Sequence, residues 1–149
     1  MPFTKEQNSK TKGKIIMFRL VKILNGRINQ GEPMKLPATS GTEYVYGMAL
    51  VLTESGTLAK CGEAVTPTHI CCEDHTASGS DDRITVEPVS ADMIFETTFS
   101  TAPAATGAKV KLASDGLQVT STASTTGGAV IFDKCGATKA GDKCLVQFK

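Results

Sequence analysis

Five side chains with ligand or nucleophile chemistry, Cys61, His69, Cys71, Cys72 and His75, fall within fifteen positions. Thiolate and imidazole are the groups zinc prefers. The spacing works against one shared ion, because structural zinc sites draw paired ligands from short turns. On a strand, His69 and Cys71 would share one face while Cys72 points to the other. A thiol nucleophile with His69 or His75 as base is the second chemistry these residues allow. Nothing in the local sequence around Cys61, Cys71, Cys72, Cys135 or Cys144 matches a catalytic signature. The paired acids Glu73-Asp74 and Asp81-Asp82 sit beside Gly79 in Ser-rich sequence and lack an EF-hand pattern. No glycine-rich phosphate loop is present, which removes the platform for nucleotide-dependent chemistry. The sequence therefore predicts no enzyme, no metal and no cofactor, with the cysteines packed as small buried hydrophobes.

The elements that must carry these residues read as strands. Residues 50–60, Leu-Val-Leu-Thr-Glu-Ser-Gly-Thr-Leu-Ala-Lys, and 110–120, Val-Lys-Leu-Ala-Ser-Asp-Gly-Leu-Gln-Val-Thr, each place a glycine turn between two apolar runs, the signature of a tight hairpin. Further strands are expected over 18–23, 44–52 (pairing with 57–61), 69–73, 83–89, 93–99, 129–134 and 143–148. In 83–89, Ile84 and Val86 share a face. Residues 29–42, with Gly31, Pro33, Pro37 and Gly41, have loop composition. Strands recurring about every ten residues suit a sandwich or barrel.

The fold class expected is all-β: a short-stranded antiparallel sandwich or barrel with a second small β-hairpin lobe and an extended amino-terminal arm. Its divisions are an arm at 1–16, a β-rich core lobe at 17–99, a connection at 100–108 rich in Ala, Thr and Pro, and a carboxy-terminal lobe at 109–149. A chain of 149 residues can bury well over half of its unfolded surface. Aromatic residues make up 5% and tryptophan is absent, while turn-forming and β-tolerant small residues abound.

Formal charge is +1, unevenly spread. Lys5, Lys10, Lys12, Lys14, Arg19, Lys22 and Arg27 face a single Glu6 in the first 27 residues, whereas 63–96 holds eight acids against Arg83. Such polarity suits a complementary partner, including a second subunit. The lysines of the arm can neutralise phosphate, but few aromatics are available to stack on bases, so specific nucleic-acid recognition is not expected. The apolar stretch at 15–18 is interrupted by Arg19 and falls short of an export core or a membrane span, so the chain is expected to stay where it is made. An odd count of five cysteines, two of them adjacent, does not read as a secreted disulfide framework and points to a reducing cytosol.

From residue 17 to 149 the chain resembles the small capsid decoration (head-stabilising) proteins of tailed bacteriophages. The phrases that carry the likeness are Glu43-Tyr-Val-Tyr-Gly-Met-Ala-Leu-Val-Leu, Pro67-Thr-His-Ile-Cys-Cys-Glu-Asp, Ile84-Thr-Val-Glu-Pro-Val, Asp92-Met-Ile-Phe-Glu-Thr-Thr-Phe, the hairpin at 109–120 and the closing stretch 136–148. They are strand and turn patterns rather than catalytic signatures, and residues 1–16 lie outside them. The resemblance implies a β-rich structural virion protein on the capsid exterior, made in the bacterial host cytoplasm and often trimeric. Its partner would be the major capsid protein, with no membrane involved. Within that implication the arm would clamp the shell, with Lys5, Lys10, Lys12 and Lys14 pairing to acidic surface and Ile15, Ile16 and Phe18 supplying an apolar anchor. On periodicity alone, Ile15, Ile16 and Phe18 equally well begin the first core strand. The competing expectations are a receptor- or glycan-binding β module of a phage head or tail fibre, in which Tyr44 and Tyr46 stack on sugars, and a small metal or redox protein built on the cysteine cluster.

Overall fold

The computed structural model describes residues 16–24, 33–79 and 81–149. Those residues are all-β, with thirteen strands in antiparallel sheets consistent with a sandwich and not closed into a barrel. The strands are β1 (Arg19–Ile23), β2 (Met34–Pro37), β3 (Glu43–Tyr44), β4 (Ala49–Leu52), β5 (Leu58–Lys60), β6 (His69–Cys71), β7 (His75–Thr76), β8 (Arg83–Pro88), β9 (Met93–Thr98), β10 (Lys109–Leu112), β11 (Val119–Ala123), β12 (Ala129–Asp133) and β13 (Lys143–Gln147). A six-stranded sheet runs β1-β9-β13-β12-β10-β11, a five-stranded sheet runs β2-β8-β6-β4-β5, and β3 pairs with β7 as a ribbon.

Both hairpins expected from glycine turns form. β4 pairs with β5 through Leu50↔Lys60 and Leu52↔Leu58, its turn closed by the Thr53 N–H on the Thr57 carbonyl at 2.9 Å. β10 pairs with β11 through Leu112↔Val119. The Asp115 carboxylate holds that second turn, accepting from the Leu117 N–H at 2.8 Å and from the Gln118 amide at 2.9 Å. A short polar side chain bonding its own backbone two residues on is how aspartate stabilises a turn.

Two apolar clusters flank the five-stranded sheet. Ala49 of β4 and Ile70 of β6 enter the cluster shared with Phe18, Phe95, Val110, Ile131, Val146 and Phe148. Their chain neighbours Leu50 and Cys71 enter the other, with Tyr44, Leu58, Ile84 and Val86. Successive side chains of a strand point to opposite faces, so this sheet is buried on both sides around β4 and β6. In the first cluster Phe148 packs at 5.0 Å between centroids against both Phe18, edge to face, and Phe95.

Two expectations are corrected. The stretch 29–42 contains β2, paired with β8 from Met34↔Val86 to Pro37↔Arg83. Its proline is tolerated because β2 is the outer strand of its sheet, where a missing N–H leaves no ladder bond unmade. The single strand expected over 44–52 is two, β3 and β4, separated by a turn at Gly47. Gly47 has φ +82°, and a Cβ there would lie 2.4 Å from the Cβ of Met17, so neither the backbone nor the space admits a larger residue. In the six-stranded sheet β13 pairs with β9, and β9 with β1, so this sheet draws strands from before and after the stretch 100–108.

Candidate functional site

The five-stranded sheet separates the side chains that looked able to do chemistry together. Cys61 lies in the cluster on one side and Cys71 in the cluster on the other. Burial pushes the Cys61 thiol up to about 12 and that of Cys71 up to about 11, and burial likewise raises buried Cys144 to about 12. These thiols are protonated at neutral pH and fill space. Cys135 is exposed, and its thiol is also raised, chiefly by burial and then by the Asp133 carboxylate.

The two histidines have separate partners. His69 Nδ1 is 2.8 Å from the Thr68 hydroxyl, and desolvation lowers its pKa. His75 Nε2 is 2.8 Å from Asp82, whose same carboxylate oxygen accepts the Ser78 N–H at 2.9 Å. That backbone bond, with the imidazole second, holds Asp82 below the usual carboxylate range. Glu73 is also held down, first by the Thr85 side chain and then by the Thr85 N–H, which it accepts at 2.7 Å. Among the described residues no three of His, Cys, Asp and Glu converge on a point where a metal ion could sit.

What the fold does assemble is a cleft. It opens where β1, the outer strand of the six-stranded sheet, stands off from β6 and β8 of the other sheet. Met17, Phe18 and Leu20 form one wall, Ile70 and Phe95 reach it from the core, and Tyr46, Cys72 and Glu87 complete it, enclosing about 190 Å³. A buried apolar cavity of about 150 Å³ is enough to take a benzene ring, so this cleft accommodates one bulky side chain. Gly47 ties its walls together: its carbonyl accepts the Phe18 N–H at 3.0 Å and its N–H donates to the Cys71 carbonyl at 2.8 Å.

The cleft has an acidic side. Glu87 lines it, and the Asp74 carboxylate accepts the Tyr46 N–H at 2.8 Å. Burial raises the Cys72 thiol to about 12, and the carboxylates of Glu87 and Glu73 add to the rise. On the β1 side Arg19 is already engaged by Glu96 at 2.7 Å.

Of the anchor residues expected from sequence, Lys5, Lys10, Lys12, Lys14 and Ile15 lie outside the described residues. Ile16 is exposed, whereas Phe18 is buried in the core, which leaves its ring unavailable for a surface contact in this fold. Tyr44 is also buried and cannot stack on a sugar, while Tyr46 is 52% exposed. Tyr46, Ile70, Cys72 and Phe95 were not singled out in the sequence as one site. They come from three separated stretches and meet only through the fold. A scan against models of protein families gives no match for this chain, and a search of the curated proteins gives none either.

Proposed function

We propose that this chain is a structural virion protein that binds the outer surface of a bacteriophage capsid and stabilises the expanded head. The observation that supports an adhesive role is where apolar surface is left uncovered. Of the eight large hydrophobic side chains exposed among the described residues, Ile16, Val21 and Leu24 sit on the segment carrying β1 and Tyr46 lines the adjoining cleft. Concentrated exposed apolar side chains mark protein contact surfaces. The thiols that could have served chemistry are, by contrast, mostly spent on packing. The resemblance of residues 17–149 to head-decoration proteins supplies the identity of the partner.

Cementing of this kind works by mass action, since a ligand that binds only the expanded shell stabilises that state according to its concentration relative to its Kd. Electron microscopy of undecorated expanded heads incubated with the purified chain tests the reading. Density at repeated positions on the shell, with heads that withstand more heat or chelation, is the expected result. Bare heads at saturating protein, or selective binding to a glycan array, would overturn it.

A further inference from the structure

The two halves of the chain repeat one five-stranded unit. The order β2-β8-β6-β4-β5 recurs as β9-β13-β12-β10-β11, and the residue after the first strand bridges in parallel to the opening residue of β5 or β11, Ala38 to Leu58 and Phe99 to Val119. β1 and the β3–β7 ribbon stand outside the repeat. Backbone bonds recur at positions about sixty apart. The Gly47 N–H donates to the Cys71 carbonyl at 2.8 Å, as the Gly107 N–H does to the Ile131 carbonyl at 2.7 Å. The Ala38 N–H donates to the Asp82 carbonyl at 2.9 Å, as the Phe99 N–H does to the Asp142 carbonyl at 3.0 Å. Strand register equates Ala49 with Lys109 and Ile70 with Val130, which pair alike in the two units. The turns, closed by the Gly56 N–H on the Thr53 carbonyl and the Gly116 N–H on the Ala113 carbonyl, equate Glu54 with Ser114.

The units join head to tail. The turn of the second seats on the first: the Ala49 N–H donates to the Gly116 carbonyl at 2.8 Å, and a Cβ at Gly116 would meet the Met48 and Lys60 side chains at 3.2 Å. The converse contact, the Gly56 turn on Lys109, is not made within the chain, since a Cβ at Gly56 would meet nothing within 4 Å. Burial carries the same asymmetry. Leu112 and Gly116 are buried where Leu52 and Gly56 are exposed, and Ala49 and Ile70 are buried where Lys109 and Val130 are half-buried. A junction with two unlike sides leaves one of each unused. We infer that a second copy of this chain docks there, its Glu54–Gly56 turn seated against Lys109 and Val130 in repetition of the junction between the two units. The charges favour that occupant. The change from Ala49 to Lys109 on one surface is matched by the change from Ser114 to Glu54 on the other, and neither Lys109 nor Glu54 forms an ion pair among the described residues. Opposite charges placed across a contact select the partner and its register. A contact of this heterologous kind continues from copy to copy until its rotation closes a ring. It forms between free copies and does not rest on the shell reading.

Sedimentation equilibrium of the full chain, free of any shell, tests this. The wild type is expected to associate beyond a dimer as its concentration rises. Glu54→Lys and Lys109→Glu should each weaken that association about tenfold, because each sets like charges against one another. The variant carrying both changes should regain it, which also shows that neither change has damaged the fold. A monomer at every concentration, or association that stops at a dimer, would overturn the head-to-tail contact. Single reversals without effect, or a double variant as weak as the singles, would overturn the pairing of Glu54 with Lys109.

Discussion

The phenolic hydroxyl of Tyr44 donates to the carbonyl of Leu58 at 2.6 Å and accepts the N–H of Thr39 at 2.8 Å. One buried side chain thereby pins the connection after β2 to β5. Tyr44→Phe keeps the ring and its packing but leaves the part-buried Thr39 N–H without that acceptor, which costs about 1 kcal/mol, the low end for an unpaired donor. The Thr39 hydroxyl donates to the same Leu58 carbonyl at 2.8 Å. Urea unfolding should therefore show Tyr44→Phe and Thr39→Ala each destabilising, with a non-additive double variant. A midpoint for Tyr44→Phe equal to wild type would remove this contact from the account of stability.

Alkali should unfold the protein earlier than its charge alone would suggest. The unfolded thiol titrates near 9.0, while burial raises Cys61, Cys72 and Cys144 to about 12 and Cys71 to about 11. A group whose folded pKa is raised contributes stability below its unfolded pKa and loses it as pH climbs toward the folded value. The urea midpoint should hold to about pH 8.5 and fall from pH 9.0 up to about 12, and Cys144→Ala should flatten part of that slope.

Thiol labelling under native conditions should resolve the same cysteines into classes. Cys135 is exposed and Cys72 half-buried in the cleft, while Cys61, Cys71 and Cys144 are buried. With a small aromatic disulfide reagent at pH 8, Cys135 should react first, Cys72 slowly, and the other three at the rate of unfolding. Prompt reaction of all five would mean that the two clusters open readily.

Acid acts through a different set. Backbone donors hold Asp82 and Asp142 below the usual carboxylate range, and the Thr85 side chain with its N–H does the same for Glu73. Depressed carboxylates contribute stability above their unfolded pKa of about 4 and lose it as pH falls through the lower folded value. Asp82→Asn should therefore destabilise at pH 7 and cost little at pH 2.5, read as the difference in melting temperature from wild type at each pH.

Two glycines separate crowding from backbone strain. A Cβ at Gly127 would lie 2.4 Å from the Thr66 nitrogen and 2.8 Å from two backbone atoms of Val65, where the Gly127 N–H donates to the Ala64 carbonyl at 2.9 Å. Gly136 has φ +72° and open space around it. Gly136→Ala should cost about 1–2 kcal/mol, the left-handed penalty. Gly127→Ala must displace backbone and should cost more. Chemical denaturation in parallel gives the order, and the reverse order would mean that residues 64–66 yield easily.

The hairpins β4–β5 and β10–β11 were legible because their turns are local: a glycine between two apolar runs specifies both strands and their pairing. β2 was hidden by Pro33 and Pro37, residues that signal loop unless the strand is known to lie at a sheet's edge. β3 and β7, two residues each, are too short for any period. Sheet membership was not readable at all, since the pairing of β9 with β13 joins residues about fifty positions apart. The cleft suffers from the same non-locality. Ile16 and Phe18 stood out as apolar neighbours of a charged segment, but nothing in Gly-Met-Ala-Leu or His-Ile-Cys-Cys tells that Ile70 and Cys72 would line a cleft with Phe18. Burial then divided the pair, leaving Ile16 outside and Phe18 within.

Ala49 and Leu50 face different apolar clusters, as do Ile70 and Cys71. Shifting β4 by one position would therefore force an isobutyl group into a methyl-sized space on one flank and leave a hollow on the other, so errors of alignment are penalised twice. Neither flank is sealed until the middle layer is in place, which makes assembly of the molecule concerted and leaves little room for a half-finished intermediate.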